Sequence, residues 1–179
     1  GGMFEAEDYF LDCKKNGFSR ARTSRAMLHP SANTSDAIAR VFRLGGPNAS
    51  QMSACTSSGT AIGFAADMIR HGMASAMMAG GSDGLCRLTY SGFNCLRLTD
   101  PERCRPFDKN RKGLSLGEGA GILILEDWDA ARKRGARVLA EFLGYGLSCD
   151  AYHMTTPHPE GAGAAACMRA ALENAKIRP

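Results

Sequence analysis

The chain has 179 residues, 44% hydrophobic and 22% charged, a composition typical of a globular domain with one substantial core. Its net charge is only +4, and its basic residues are scattered without interleaved aromatic residues, so we expect no nucleic-acid partner. No apolar run is long enough to cross a bilayer, and the sequence opens on two glycines without a basic-then-apolar leader, so we expect no membrane association.

Cysteine usage indicates a reducing compartment. The seven cysteines form no Cys-x-x-Cys pair and no Cys/His cluster at metal-ligand spacing. We therefore predict free thiols, no metal site and a cytoplasmic location.

Hydrophobic periodicity predicts two helices and a strand in the first half. Residues 33–43 have helical spacing and end at a Gly-Gly-Pro stop. A short extended stretch leads to Cys55, and apolar residues then recur at helical spacing as far as His71. Residues 76–80 are short, apolar and closed by glycines, which favours a buried strand.

The second half begins with an irregular region over 85–118, rich in turn formers, where we predict no helix. Residues 121–127 are the clearest strand, followed by a short charged helix, a partner strand within 137–148 and an Ala-rich helix over 160–176. Strands alternating with helices predict a layered α/β fold.

Cys55 is the first candidate for chemistry. It lies in SACTSSG, between an extended segment and a helix start rich in small residues. Unpaired helix N–H groups and the positive end of the dipole would lower the pKa of a thiol there and favour a nucleophilic thiolate. The alternative is a small buried cysteine at a tight strand-helix junction, and spacing alone leaves both open.

Two other patterns point to different chemistry. Residues 80–84 match the G-x-S-x-G of α/β-hydrolases, with Asp150 and His153 following in the order of their triad. We reject this assignment because no helix is predicted directly after Ser82, and because Asp150 and His153 are too close in sequence. The glycines of 117–121 resemble a phosphate-binding loop but precede a strand, so we assign them to close backbone packing.

Several longer motifs together resemble one family. SACTSSGTAIG around Cys55, MMAGGSD at 77–83, CRPFDKNRKGLSLGEGAGILILE at 104–126 and DAYHMTTP at 150–157 are similar, in order and spacing, to the β-ketoacyl-acyl carrier protein synthases. The discrete bacterial type II elongating enzymes are the most similar group. The resemblance implies the thiolase fold, with α/β/α/β/α layers in two related halves, and a homodimer.

The resemblance also implies a reaction. Cys55 would take an acyl chain from a carrier protein and then release it to the carbanion formed by decarboxylation of malonyl-carrier protein. A thiol suits both steps because it is a good nucleophile and a good leaving group. No cofactor is expected, since the substrates are carried on the 4'-phosphopantetheine of the acyl carrier protein.

Three further positions match residues near the family's substrate. His153 resembles a histidine close to the active site, distinct from the two catalytic histidines, although a histidine satisfied by loop hydrogen bonds explains it equally well. Thr155 corresponds to a threonine beside the pantetheine tunnel. Phe93 corresponds to a pocket-lining aromatic residue, with simple core packing as the alternative.

Three arginines are candidates for docking the acidic carrier protein: Arg20, Arg22 and Arg97. Isolated arginines of this kind are also typical of a solvated surface.

The chain departs from the family in what it lacks. The family's two catalytic histidines and its lysine follow the region matched here, so we expect a partial thiolase-fold domain that is inactive alone, with residues 1–149 covering most of the first half and 150–179 starting the second. A shortened loop between Phe93 and Arg105 leaves acyl length and pathway open. The alternatives are a non-catalytic partner subunit of the chain-length-factor type, which the presence of Cys55 disfavours, and a thiolase-type acyl-CoA enzyme.

Overall fold

The computed structural model describes residues 4–27 and 32–179. The helices and strands in this part of the chain are, in order, α1 Phe4–Asn16, α2 Thr23–Met27, α3 Ala32–Phe42, α4 Ser57–Arg70, β1 Ala76–Asp83, α5 Arg87–Cys95, β2 Gly119–Glu126, α6 Trp128–Lys133 and α7 Ala162–Ala175. A 3-10 turn, Ala54–Thr56, leads directly into α4. None of the described helices is long and apolar enough to span a membrane.

The chain forms two compact units. The first consists of Gly1–Met52 with Gly80–Ile122, and the second of Ser53–Ala79 with Leu123–Pro179. The predicted division near residue 149 concerns the halves of the whole fold and stays a prediction.

In the first unit, α1 and α2 pack together, and the turn between them is held by α1. The Asp12 carboxylate accepts the backbone N–H of Arg22 at 3.0 Å and an Asn16 side-chain N–H at 2.7 Å. These hydrogen bonds lower the pKa of Asp12, since both favour its ionised form. The Asp12 carboxylate therefore ties the end of this turn to α1, in addition to the backbone hydrogen bond from the Ala21 N–H to the Gly17 carbonyl at 3.1 Å.

The two strands form a two-stranded sheet that depends on glycine. The Ser75 carbonyl accepts the Asp127 N–H at 3.2 Å, and Gly80 lies against Gly121 and Ile122, so the strands run antiparallel. A Cβ added to Gly80 would overlap the Gly121 carbonyl oxygen and lie 2.9 Å from the Ile122 Cα. Both strands were predicted, and Gly80 and Gly121 mark their closest approach.

Helix α5 contradicts the prediction of an irregular 85–118. The sequence of α5, RLTYSGFNC, has weak helix formers, but its first turn has partners for its unpaired N–H groups. The Cys86 sulfur accepts the Thr89 N–H at 3.5 Å, and the Glu7 carboxylate of α1 accepts the Leu88 N–H. An acceptor 81 residues away compensates for the poor propensity of the segment.

The expected strand within 137–148 is also wrong. This segment is extended but belongs to no sheet in the described chain, where β2 pairs with β1. Instead it lies against α4 and α7. The Arg70 guanidinium donates to the carbonyls of Phe142 and Leu143 at 3.3 and 2.6 Å, and Gly146 packs so closely on α7 that an added Cβ would lie 2.6 Å from the Ala171 nitrogen.

Tyr145 makes a further contact within the second unit, between the extended segment and α4. Its ring lies against Gly63 of α4, where no side chain intervenes, and its hydroxyl donates to the Asp67 carboxylate at 2.6 Å. That hydrogen bond, assisted by partial burial, raises the pKa of Tyr145. The predicted helices 55–71 and 160–176 correspond to α4 and α7, and Tyr145 fixes the extended segment on α4.

Candidate active site

Cys55 occupies the 3-10 turn immediately before α4 and is exposed. The residue before it, Ala54, has a φ of 51°. This left-handed conformation costs an alanine about 1 kcal/mol, so the surrounding contacts must enforce it.

The hydroxyl groups of the two residues that follow Cys55 supply those contacts. The Ser57 hydroxyl accepts the Ser53 N–H at 2.9 Å and donates to the Ala54 carbonyl at 2.7 Å. The Thr56 hydroxyl donates to the Ser53 carbonyl, also at 2.7 Å. The hydroxyl-rich context of SACTSSG therefore builds the turn that presents Cys55, a role that sequence reasoning did not assign to these residues.

The start of α4 provides an electrostatic setting for chemistry at Cys55. A helix of 14 residues has unpaired N–H groups and the positive end of its dipole at its first turn, which stabilises negative charge placed there. An exposed sulfur two residues before such a helix can be reached by a carbonyl compound, and the oxyanion formed by attack would lie near the helix start.

His153 and Thr155 belong to a closed loop over residues 150–158. Asp150 closes it at the base, because its carboxylate accepts the His158 N–H at 2.8 Å and lies where a Cβ on Gly163, in the first turn of α7, would be. The Tyr152 and His158 rings meet edge to face at 5.1 Å. The 150–158 loop is thus closed by its own hydrogen bond and packs against the first turn of α7.

Within this loop, the His153 ring is oriented by backbone donors. Its Nδ1 accepts the N–H groups of Thr155 and Thr156 at 3.1 and 3.2 Å. In the neutral ring the proton is therefore on Nε2, which is left as the donor. The loop hydrogen bonds foreseen as one explanation of His153 are present, and its role toward a substrate stays a prediction.

The contacts of Ser82, Asp150 and His153 do not form a hydrolase triad. Ser82 lies within β1, not in a turn that exposes it. The Asp150 carboxylate contacts the backbone of His158, whereas the His153 Nδ1 is occupied by backbone N–H groups. No proton relay connects Asp150 to His153 in these contacts.

The remaining predicted residues belong to the first unit. Phe93 is half-buried on α5. Arg20 and Arg22 are exposed in the turn between α1 and α2, and Arg97 is exposed just after α5 with a φ of 55°. The exposure of the three arginines agrees with either predicted role, docking of a carrier protein or a solvated surface.

Cys104 has chemistry that the sequence did not reveal. The backbone N–H of Ser115, and then its hydroxyl, favour the thiolate and lower the pKa of the Cys104 thiol, with a smaller contribution from the positive charge of Arg103. The Ser115 hydroxyl also accepts the Cys104 N–H at 3.1 Å. The signal in the sequence is only the pair of arginines that flank Cys104.

We expect Ser115→Ala to slow alkylation of Cys104 by iodoacetamide near neutral pH. Because the hydroxyl stabilises the thiolate, its removal raises the pKa of Cys104 and moves the rise in rate to higher pH. Mass-spectrometric peptide mapping across pH 6 to 10 measures this, with Cys55 as the internal control. An unchanged pH profile at Cys104 would show that the hydroxyl does not act on the sulfur.

Two models of one protein family match this chain and together cover most of it. The model described as "Beta-ketoacyl synthase, N-terminal domain" matches residues 2–131, and the model described as "Beta-ketoacyl synthase, C-terminal domain" matches residues 139–179. Cys55 lies in the first match, and His153 and Thr155 lie in the second.

Individual relatives agree with this result. The "3-oxoacyl-[acyl-carrier-protein] synthase 2" of Rhizobium meliloti (strain 1021) is 45% identical over 143 residues, which are 75% of this chain and 34% of that protein. The chain therefore spans about a third of the length of the curated relatives it matches.

Two solved structures share the fold. One, "The ishigamide ketosynthase/chain length factor", has a TM-score of 0.91 at 35% identity, and the match covers 97% of this chain and 43% of that chain. The other is a type II polyketide synthase acyl-carrier protein in complex with its ketosynthase bound to the hexaketide. Its TM-score is 0.91 at 29% identity, and the match covers 98% of this chain and 46% of that chain. The prediction of a partial thiolase-like α/β fold is confirmed.

Proposed function

Because this chain belongs to the β-ketoacyl synthase family, we propose that the protein carrying it is a condensing acyltransferase with Cys55 as its nucleophile. The observation that carries the proposal is the exposed Cys55 in the turn before α4, inside the region that matches the N-terminal domain of the family. A non-catalytic subunit would not need this cysteine.

In the first step, the Cys55 sulfur attacks the thioester carbonyl of an acyl group on a carrier protein. The new C–S bond forms as the bond to the carrier's phosphopantetheine sulfur breaks, and that thiolate leaves and takes up a proton. The Cys55 N–H and the positive end of α4 stabilise the oxyanion formed during the transfer.

In the second step, a malonyl group on the carrier protein loses CO2, and the electron pair of the broken bond forms a carbanion. The carbanion attacks the acyl carbonyl on Cys55, the sulfur leaves, and the acyl chain returns to the carrier as a 3-oxoacyl group two carbons longer. The histidines that promote this decarboxylation in β-ketoacyl synthases are not among the 179 residues. The part of the reaction that we assign to this chain is therefore the nucleophile, Cys55.

The loop over residues 150–158 fits a role in binding the phosphopantetheine arm. Thr155 has a hydroxyl that can bond an amide, and His153 keeps its Nε2 free of the backbone donors that hold Nδ1. We assign Phe93 to the wall of the acyl pocket. The arm belongs to the substrate, so the proposal requires no cofactor of the protein.

The test is reconstitution of the protein that carries this sequence with acyl-carrier protein and malonyl-carrier protein. We expect release of CO2 together with a 3-oxoacyl-carrier product two carbons longer, both detected by mass spectrometry. Decarboxylation without any condensed product would favour a chain-length-factor role, and use of acyl-CoA alone would favour a thiolase-type enzyme.

The proposed partner is an acidic acyl carrier protein, which docks on a surface that includes Arg97 and Arg20 or Arg22. One of the similar structures holds an acyl-carrier protein in complex with its ketosynthase. Exposed charges of this kind mainly accelerate encounter and are screened by salt.

We expect Arg97→Glu to raise the KM for acyl-carrier protein about tenfold, while the KM for a short acyl-pantetheine thioester stays the same. Steady-state kinetics with both substrates measure this. Charge reversal at the exposed Arg169 of α7 is the matched control. Equal losses with both substrates would exclude a role limited to docking, and no loss with either would exclude Arg97 from the docking surface.

We further propose that the protein works as a homodimer. Large apolar side chains are exposed on α3 and on the segment after it, with Val41 73% and Met52 80% exposed, and apolar patches of this kind support a protein interface. Mass photometry of the protein is expected to give twice the monomer mass, and a single monomer peak would exclude this.

We also propose a cytoplasmic location, which the seven free cysteines support.

A further inference from the structure

The peptide bond between Ala54 and Cys55 sets the direction of the Cys55 N–H. A trans peptide is planar, so its carbonyl and its N–H point in opposite directions. The carbonyl of this peptide is that of Ala54, and two groups of Ser57 donate to it: the backbone N–H and, at 2.7 Å, the hydroxyl. The contacts that fix the Ala54 oxygen therefore also fix the direction of the Cys55 N–H.

The preceding peptide, between Ser53 and Ala54, is fixed in the same way. Its carbonyl, that of Ser53, accepts the Thr56 backbone N–H at 3.1 Å and the Thr56 hydroxyl at 2.7 Å. The Ser57 hydroxyl also accepts the Ser53 N–H at 2.9 Å, so it bonds to the backbone on both sides of Ala54. Each of the two peptide planes that meet at the Ala54 Cα is thus bonded to one N–H and one hydroxyl.

Ala54 has a φ of 51°, in the left-handed region that disfavours a residue with a Cβ. Without the two hydroxyls, rotation of Ala54 into the ordinary right-handed or extended region would relieve this strain. That rotation would turn the Ala54–Cys55 peptide and the Cys55 N–H with it. The hydroxyls of Thr56 and Ser57 therefore stabilise a peptide orientation that the backbone alone disfavours.

From this geometry we propose that Thr56 and Ser57 are positioning residues, whose hydroxyls direct the Cys55 N–H toward the oxyanion formed in acyl transfer. The inference rests on the proposed function and deepens it. Both hydroxyls act through the backbone, since their bonds are to Ser53 and Ala54. They therefore affect steps that place negative charge on a carbonyl oxygen, whereas a step that needs only the sulfur is unaffected.

Two reagents separate these effects at Cys55. With p-nitrophenyl acetate, the sulfur bonds to the carbonyl carbon and an oxyanion forms; its collapse expels p-nitrophenolate, and the thiol proton passes to water. Iodoacetamide alkylates the same sulfur by displacing iodide from a saturated carbon, so no oxyanion forms. The ratio of the acylation to the alkylation rate constant therefore measures oxyanion stabilisation. Mass-spectrometric peptide mapping of the protein that carries this sequence gives both rates at Cys55.

We expect Ser57→Ala to lower the acylation rate constant of Cys55 about tenfold and the alkylation rate constant by less than about twofold, because the backbone donor loses its direction. Ser57→Thr keeps the hydroxyl and is expected to restore the ratio to within about threefold of the wild type. Ser58→Ala, at the next hydroxyl of α4, which is exposed, is the matched control and should leave the ratio unchanged.

Further variants test the cause and cover the case in which Ser57→Ala does not fold. Glycine adopts a φ of 51° without strain, so adding Ser57→Ala to Ala54→Gly should lower the acylation rate constant only about threefold or less. Thr56→Val removes the other hydroxyl at nearly the same side-chain shape and is expected to lower the ratio in the same direction as Ser57→Ala.

Equal losses in both reactions, or an unchanged ratio in Ser57→Ala and Thr56→Val, would overturn the proposal. An equally large loss from Ser57→Ala with and without Ala54→Gly would also overturn it. Neither reagent involves a carrier protein, so the result is distinct from the reconstitution that tests the proposed function. If reconstitution gives no 3-oxoacyl product while the ratio still depends on the hydroxyls, the proposed function fails and the positioning of the Cys55 N–H stands.

Discussion

Cys55→Ala is expected to lower acyl loading and condensation by at least about a thousandfold, because alanine has no nucleophile for the first step. Stability should change by less than about 0.5 kcal/mol, since Cys55 is exposed and small. Intact-protein mass spectrometry after incubation with acyl-carrier protein measures loading as the added mass of the acyl group.

Cys149→Ala, at another exposed thiol, is the matched control and should load normally. Loading that persists in Cys55→Ala would disprove covalent transfer through Cys55. If the label then mapped to Cys104, the thiolate favoured by Ser115 would be the acceptor instead.

Gly80→Ala is expected to destabilise the fold by about 3 kcal/mol, because the new methyl group would overlap the Gly121 carbonyl of the facing strand. The neighbouring atoms are backbone, so no side-chain rotation relieves the overlap. Urea unfolding of the protein, followed by circular dichroism, gives the free energy of unfolding.

Gly119→Ala is the comparison for this substitution, since Gly119 is also in the sheet but has no atom within 4 Å of an added Cβ. Its effect should be within about 0.5 kcal/mol. Equal losses from both variants would indicate a general intolerance of β2 and β1 to alanine, and not a specific close approach at Gly80.

The sequence predicted the elements whose signals are local. Helix α4 has helical periodicity and strand β2 is a continuous apolar run, so both were found close to their observed bounds. Helix α5 was missed because its stabilising acceptor, Glu7, belongs to a different helix. The segment 137–148 was predicted as a strand because its apolar residues fit one, but its contacts are with α4 and α7, and pairing cannot be read from composition.

The candidate site was predictable to a similar degree. Cys55 before a helix start could be recognised from its flanking residues, and the structure places it there. Loop hydrogen bonds to His153 were foreseen as one explanation, but the ring nitrogen that accepts them was not, because it depends on the backbone path that brings two N–H groups to Nδ1.

The contact between Asp150 and Gly163 couples these two positions during divergence. With the carboxylate where it lies, any side chain at position 163 collides with it, so a substitution there first would force the Asp150 side chain to turn away and lose its hydrogen bond to the His158 N–H. If position 150 first loses its carboxylate, position 163 becomes free to accept alanine, at the cost of the same hydrogen bond. Sequences that carry a larger residue at 163 should therefore lack either the aspartate or its hydrogen bond to residue 158.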